Sequence, residues 1–141
     1  MNNKKTSDEW LVMNYFIEKY EGFPAGKLVK HESPDFLLKV NRHNTIGIEL
    51  TQLGVHSTIG RETTDVLTEA LQHTLEKKQQ KIPLYNKLWL IEKWLIVYTD
   101  KLALPVGAKM EKLFGRLTVS SGFNRTYLFD LFTGKIFEIN Q

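Results

Sequence analysis

The sequence predicts a single α/β domain, a central mixed β-sheet flanked by helices, and three observations carry that prediction. Segments with apolar residues at helical spacing alternate along the chain with short runs rich in β-branched and aromatic residues. One such run, KWLIVYTD (93–100), is almost continuously apolar between charges, the pattern of a strand covered on both faces. The length of 141 residues, with 42% hydrophobic and 25% charged, suffices for one ordinary core and not for two.

The elements follow in order. In DEWLVMNYFIEKY (8–20), Leu11, Val12, Tyr15, Phe16 and Tyr20 recur at helical spacing behind a capping Ser7 or Asp8, which predicts a first helix. EGFPAG (21–26) ends it with glycine and proline, and KLVKHES (27–33) offers a short strand. DFLLKV (35–40) and TIGIELT (45–51), joined by the polar NRHN, read as a hairpin. After GVHSTIG a second helix is expected from about Arg61 to Lys81. Its stripe of Leu67, Leu71, Thr74/Leu75, Lys78 and Ile82 is apolar except for the one lysine, and Pro83 ends or bends it. KWLIVYTD is the central strand, a shorter helix covers roughly Val106 to Phe114, and RTYLFDLFTGKIFEI (125–139) closes the chain as a hairpin turning at Thr133-Gly134. The order is α-β-β-β-α-β-α-β-β, with no internal repeat, low-complexity tract or dividing linker.

Composition narrows the function classes. Without cysteine there is no disulfide framework, thiolate metal site, cysteine nucleophile or iron–sulfur cluster, and a reducing cytoplasm is the expected location. The polar MNNKKTSDEW start is not a signal peptide, and no run approaches the roughly 20 apolar residues of a membrane span. A net charge of +3 and a pI near 9.0 favour an acidic partner only weakly. His31, His43, His56 and His73 lack metal-ligand spacing, and no glycine pattern forms a phosphate loop or dinucleotide fingerprint. The basic segments EKKQQK and GAKMEKLFGR could meet phosphates, and a solvated helix face explains each equally well.

Two acidic residues stand out. Strand interiors normally exclude carboxylates, because a buried charge is costly unless it is paired or coordinates a metal. Asp35 opens one predicted strand directly after Pro34, and Glu49 sits inside IGIELT, sharing a face with Gly47 and Thr51. If the two strands pair, both carboxylates meet at one edge, an oxygen-rich pattern suited to Mg²⁺ or Mn²⁺. Each also has a plainer reading: Asp35 as a strand-entry residue accepting backbone hydrogen bonds, Glu49 as a solvent-facing strand residue, Lys78 as a lysine whose stem covers apolar surface while its amine reaches water.

PDFLL followed by IGIELT resembles the core of the PD-(D/E)XK nuclease superfamily, over roughly two-thirds of the chain, from Ser7 to about Asp100. The resemblance implies a restriction-endonuclease-like core in which Asp35 and Glu49 hold a divalent metal, Mg²⁺ or Mn²⁺, that activates water for phosphodiester cleavage. The partner would be nucleic acid, DNA before RNA, with no membrane role and with homodimerisation open. Thr51 stands where the family carries lysine, two residues after Glu49, so the cation is expected from the following helix, with Lys78 preferred over Lys77 and Lys81. A first-helix glutamate supports the metal in many members, which favours Glu9 over Glu18 and Glu21. Two rivals stand beside the nuclease: a non-catalytic member of the fold that binds nucleic acid or protein, with Thr51 as the mark of lost activity, and a structural or partner-binding protein of another class.

Overall fold

The computed structural model describes residues 3–54, 63–100, 108–117 and 121–139. Helix α1 (Asn3–Lys19) is followed by strands β1 (Lys27–Lys30), β2 (Phe36–Lys39) and β3 (Thr45–Gln52). Helices α2 (Thr63–Gln79) and α3 (Ile82–Tyr85) lead to β4 (Glu92–Thr99), then α4 (Ala108–Gly115), β5 (Arg125–Asp130) and β6 (Ile136–Glu138). The six strands form one mixed sheet in sequence order. β1, β2 and β3 pair as an antiparallel meander, β3–β4 and β4–β5 are parallel, and β6 returns antiparallel on β5. The two parallel joints are where α2 and α4 enter the chain, since parallel neighbours require a crossover.

β4, central in the sheet, buries both faces as its continuous apolar sequence predicts. Trp94 and Ile96 join Phe16, Phe36, Ile48, Tyr127 and Phe129 on the α1 side. Leu95 and Val97 join Leu67, Leu71, Leu75, Met110 and Leu113 on the side of α2 and α4. The α1 core is aromatic: Phe16 sets ring edges against Tyr127 and Phe129 at centroid distances of 5.5 and 5.4 Å, arrangements that add to plain burial.

Four sequence expectations are adjusted. α1 starts at Asn3 rather than behind Ser7 or Asp8, because residues 3–7 contain no glycine or proline to stop it. Its buried stripe is Glu9, Val12, Met13 and Phe16, while Leu11 is 68% exposed, so the helix is turned one step from the expected face. α2 ends at Gln79, and Pro83 opens the separate turn α3, where its missing N–H costs nothing. Arg61, Val106 and His56 lie outside the described residues. The turn at Thr133-Gly134 is as expected: Gly134 takes a φ of 75°, its N–H donates to the Asp130 carbonyl at 2.8 Å, and the Thr133 hydroxyl bonds the Asp130 carboxylate at 2.8 Å. Among the described residues, no helix is long and apolar enough to cross a membrane.

Gly47 shows how tightly β3 is held. A Cβ there would lie 2.7 Å from Leu90 Cδ1 and 2.9 Å from Pro34 Cγ, so the chain entering β2 packs directly on bare backbone. Gly47→Ala is expected to cost about 1–3 kcal/mol through overpacking, read as a lowered urea midpoint at unchanged slope. Because Pro34 is pushed, the variant should also disturb the Asp35 amide resonance.

Candidate acid–lysine cleft

Asp35 and Glu49 come together as the hairpin reading requires. β2 pairs with β3 from Phe36↔Ile48 to Lys39↔Thr45, so Asp35 lies just before the first rung and Glu49 just beyond it. Each carboxylate caps the other residue's strand: Glu49 Oε1 accepts from the Asp35 backbone N–H at 3.2 Å, and Asp35 Oδ2 accepts from the Leu50 N–H at 2.9 Å. These bonds continue the ladder by one side-chain step, which answers why strand residues here are acidic: each supplies an acceptor where β2 has not yet begun.

Glu49 is only 4% exposed. Strand alternation sends Ile48 and Leu50 to the α1 core and Glu49 to the opposite face, where α2 packs. There Lys78 Nζ meets Glu49 Oε2 at 2.9 Å, with Lys81 Nζ at 4.0 Å from the same oxygen. Lys78, at the end of the Leu67–Leu71–Leu75 stripe, is the lysine turned inward, and Lys77 is exposed. Glu9, 9% exposed on α1, reaches in from the other side. Its carboxylate lies 3.4 Å from Lys30 Nζ, which also donates to the Asp35 carbonyl at 2.9 Å.

The result is an open polar cleft of about 470 Å³, with Asp35, Glu49, Thr51, Lys78 and Tyr98 in its wall and Lys4 and Lys5 among its other lining residues. Burial and the neighbouring Glu49 charge raise the Asp35 pKa from 3.8 to about 8, against the pull of the Leu50 N–H, with Glu9 adding a smaller push in the same direction. Asp35 is thereby pushed toward its protonated form near neutral pH, although the Lys30 ammonium stands 4.0 Å from Oδ1. Burial, and after it the charges of Glu9 and Asp35, also raise the Tyr98 phenol.

The predicted site residues Asp35, Glu49, Lys78 and Thr51 thus border one cleft, with Glu9 lining it from α1. Three groups were missed. Lys30 is recognisable only from the β1–β2 register, in which Lys30 pairs Phe36 and so lies beside Asp35. Tyr98 reads in sequence as one more apolar strand residue. Tyr85, 1% exposed, reads as core, and among the described residues its hydroxyl has no partner in good hydrogen-bond geometry, although Glu49 and Ser33 act on it.

No protein-family model and no curated protein matches the chain. A solved structure with similarity is a protein of unknown function from Pseudomonas aeruginosa strain PAO1, described as monooxygenase superfamily. It is 18% identical, with a TM-score of 0.48, over 92% of this chain and 69% of that one. At that level it transfers no activity to this chain.

The PD-(D/E)XK reading is corrected on these findings. The solved structure found similar is described as monooxygenase superfamily and not as a nuclease. Phosphodiester cleavage and the inactive nuclease-like module fall with it, and the restriction-endonuclease-like core and the DNA partner are left without support. The physical reason is that PDFLL and IGIELT are explained locally: a proline-led strand entry, and a strand whose one inward acid is matched by Lys78. Among the described residues, no group of three or more His, Cys, Asp or Glu side chains is arranged to hold an ion. Glu9, offered as the third ligand, lies 3.4 Å from Lys30 Nζ and also acts on the Asp35 carboxyl.

Proposed function

We propose that the cleft is a general acid–base site for a small, oxygen-rich polar ligand. One observation carries this reading: Asp35 stands in the wall of an open cleft beside Glu49, its carboxylate bonded to the Leu50 N–H, where burial and the Glu49 charge push its pKa up to about 8. An acid whose pKa lies near the working pH is suited to giving a proton and taking it back, and strongly shifted groups in clefts mark functional sites more often than others. In this reading Asp35 exchanges the proton with a ligand oxygen, and Glu49 sets the affinity of Asp35 for it. Lys78 offers its ammonium to the oxygen that gains negative charge, and Thr51 adds a hydroxyl at the cleft wall.

A second reading has its own observation. Asp35 and Glu49 supply two hard oxygen donors on strands tied to each other by the 3.2 and 2.9 Å bonds, and a doubly charged ion would offset the burial and the Glu49 charge that raise the Asp35 pKa. Mg²⁺ or Mn²⁺ is the cofactor of that reading, held by two carboxylates with water filling the remaining positions.

Amide NMR titration with a panel of small carboxylates, inorganic phosphate, sugars and Mn²⁺ at pH 6 and pH 9 separates the two. The acid–base reading expects one organic or phosphate class to shift Asp35, Leu50 and Thr51, with an affinity that changes between the two pH values and is lost in Asp35→Asn. The cation reading expects selective broadening of the same amides by Mn²⁺, stronger at pH 9 because Asp35 must lose its proton. Responses scattered over the surface, unchanged in Asp35→Asn, would contradict both.

A further inference from the structure

The Tyr85 ring is held in the fold with 1% exposure, tilted against Phe123 at a centroid distance of 5.8 Å. Among the described residues its buried hydroxyl has no partner in good hydrogen-bond geometry, although the Glu49 and Ser33 side chains stand close enough to act on it. A buried hydroxyl left unpaired destabilises the folded state, and phenylalanine would fill the same space without that cost. A tyrosine at such a place is explained by a partner gained in another state of the site. The Glu49 carboxylate is the charge that acts most on the phenol. In the observed arrangement both Glu49 oxygens are occupied, Oε1 by the Asp35 N–H and Oε2 by Lys78.

We propose that the Tyr85 hydroxyl is a reserve donor to Glu49, taking the carboxylate when Lys78 swings away to a ligand, so that Tyr85 is a positioning residue of the cleft. A buried carboxylate stripped of its lysine would otherwise stay uncompensated. A donor already in place, at the cost of one idle hydroxyl in the resting protein, lets Lys78 leave without Glu49 shifting. That keeps Glu49 Oε1 on the Asp35 N–H and so keeps the acid in register. The release of Lys78 to a ligand rests on the function proposed above; the donor relation between Tyr85 and Glu49 does not.

A double-mutant cycle tests that relation without any ligand. In the parent protein, Tyr85→Phe should leave the folded-to-unfolded ratio unchanged or raise it, since only an idle hydroxyl is removed. In a Lys78→Met background, where Tyr85 now serves Glu49, the same substitution should lower that ratio about tenfold further. The Glu49 side-chain carboxyl, followed by carbon NMR, should then titrate at higher pH without the tyrosine than with it. If Lys78→Met is too unstable to measure, Lys78→Gln gives the same cycle with the same expected sign. Equal effects of Tyr85→Phe in both backgrounds, or a Glu49 titration indifferent to Tyr85, would overturn the proposal. A failed ligand panel alongside a positive cycle would reject the acid–base function and leave the reserve donor standing.

Discussion

Replacing Lys78 by methionine is expected to lower stability by about 3–5 kcal/mol, the cost of leaving a buried charge without its partner. Glu49 is 4% exposed, Lys78 Nζ lies 2.9 Å from it, and the next ammonium, Lys81, stands 4.0 Å away on a side chain that is 43% exposed. Methionine preserves the stem that packs beside Leu75 but supplies no charge, and Lys81 recovers only part of the loss because it must leave water to do so. Urea unfolding measures the change. Lys77→Met, exposed one position round the helix, should stay within about 0.5 kcal/mol of the parent. Combining Lys78→Met with Glu49→Gln should restore much of the loss, because the glutamine still accepts from the Asp35 N–H while the orphaned charge is gone. A Lys78→Met protein as stable as the Lys77→Met protein would show that the pair is solvent-screened and not part of a buried site.

The second large effect is a pH dependence opposite to that of an ordinary surface carboxylate. Asp35 titrates at about 8 in the folded protein, against 3.8 for a free side chain. Between those values the folded state keeps a proton that the unfolded chain has released, so the contribution of Asp35 is full below pH 3.8 and is lost as pH rises through 8. The slope is at most about 1.4 kcal/mol per pH unit in that window. Asp35→Asn should remove the slope, since asparagine keeps an acceptor for the Leu50 N–H and has no charge to bury. The variant should melt higher than the parent at pH 9, and the gap should narrow or reverse toward pH 4. Thermal melts of both proteins across that range isolate the difference from the other carboxylates.

Those two effects also mark what the sequence could convey. The central strand was legible because a run such as WLIVY can only be buried on both faces, and the hairpins because polar turns separate short apolar runs. Asp35 and Glu49 were legible as a pair because acids in such runs demand a reason. The reason turned out to be local: two strand-end acceptors and one lysine partner, contacts that residue order alone does not reveal. The α1 stripe was misplaced by one step because Leu11 and Met13 are equally apolar, and only the shape of the aromatic cluster around Phe16 decides which one is buried. Lys30 and Tyr98 reach the cleft through strand register, and Tyr85 through the turn that Pro83 initiates, none of which leaves a mark in residue type.

The central claim is that Asp35 is a buried acid that keeps its proton at neutral pH beside Glu49. Carbon NMR of the side-chain carboxyl groups, recorded from pH 3 to pH 10 on the parent protein and on Glu49→Gln, tests it directly. An Asp35 midpoint near 8 is expected in the parent, falling toward the ordinary carboxylate range when the Glu49 charge is removed. An Asp35 midpoint near 4 in the parent, unmoved by Glu49→Gln, would contradict it.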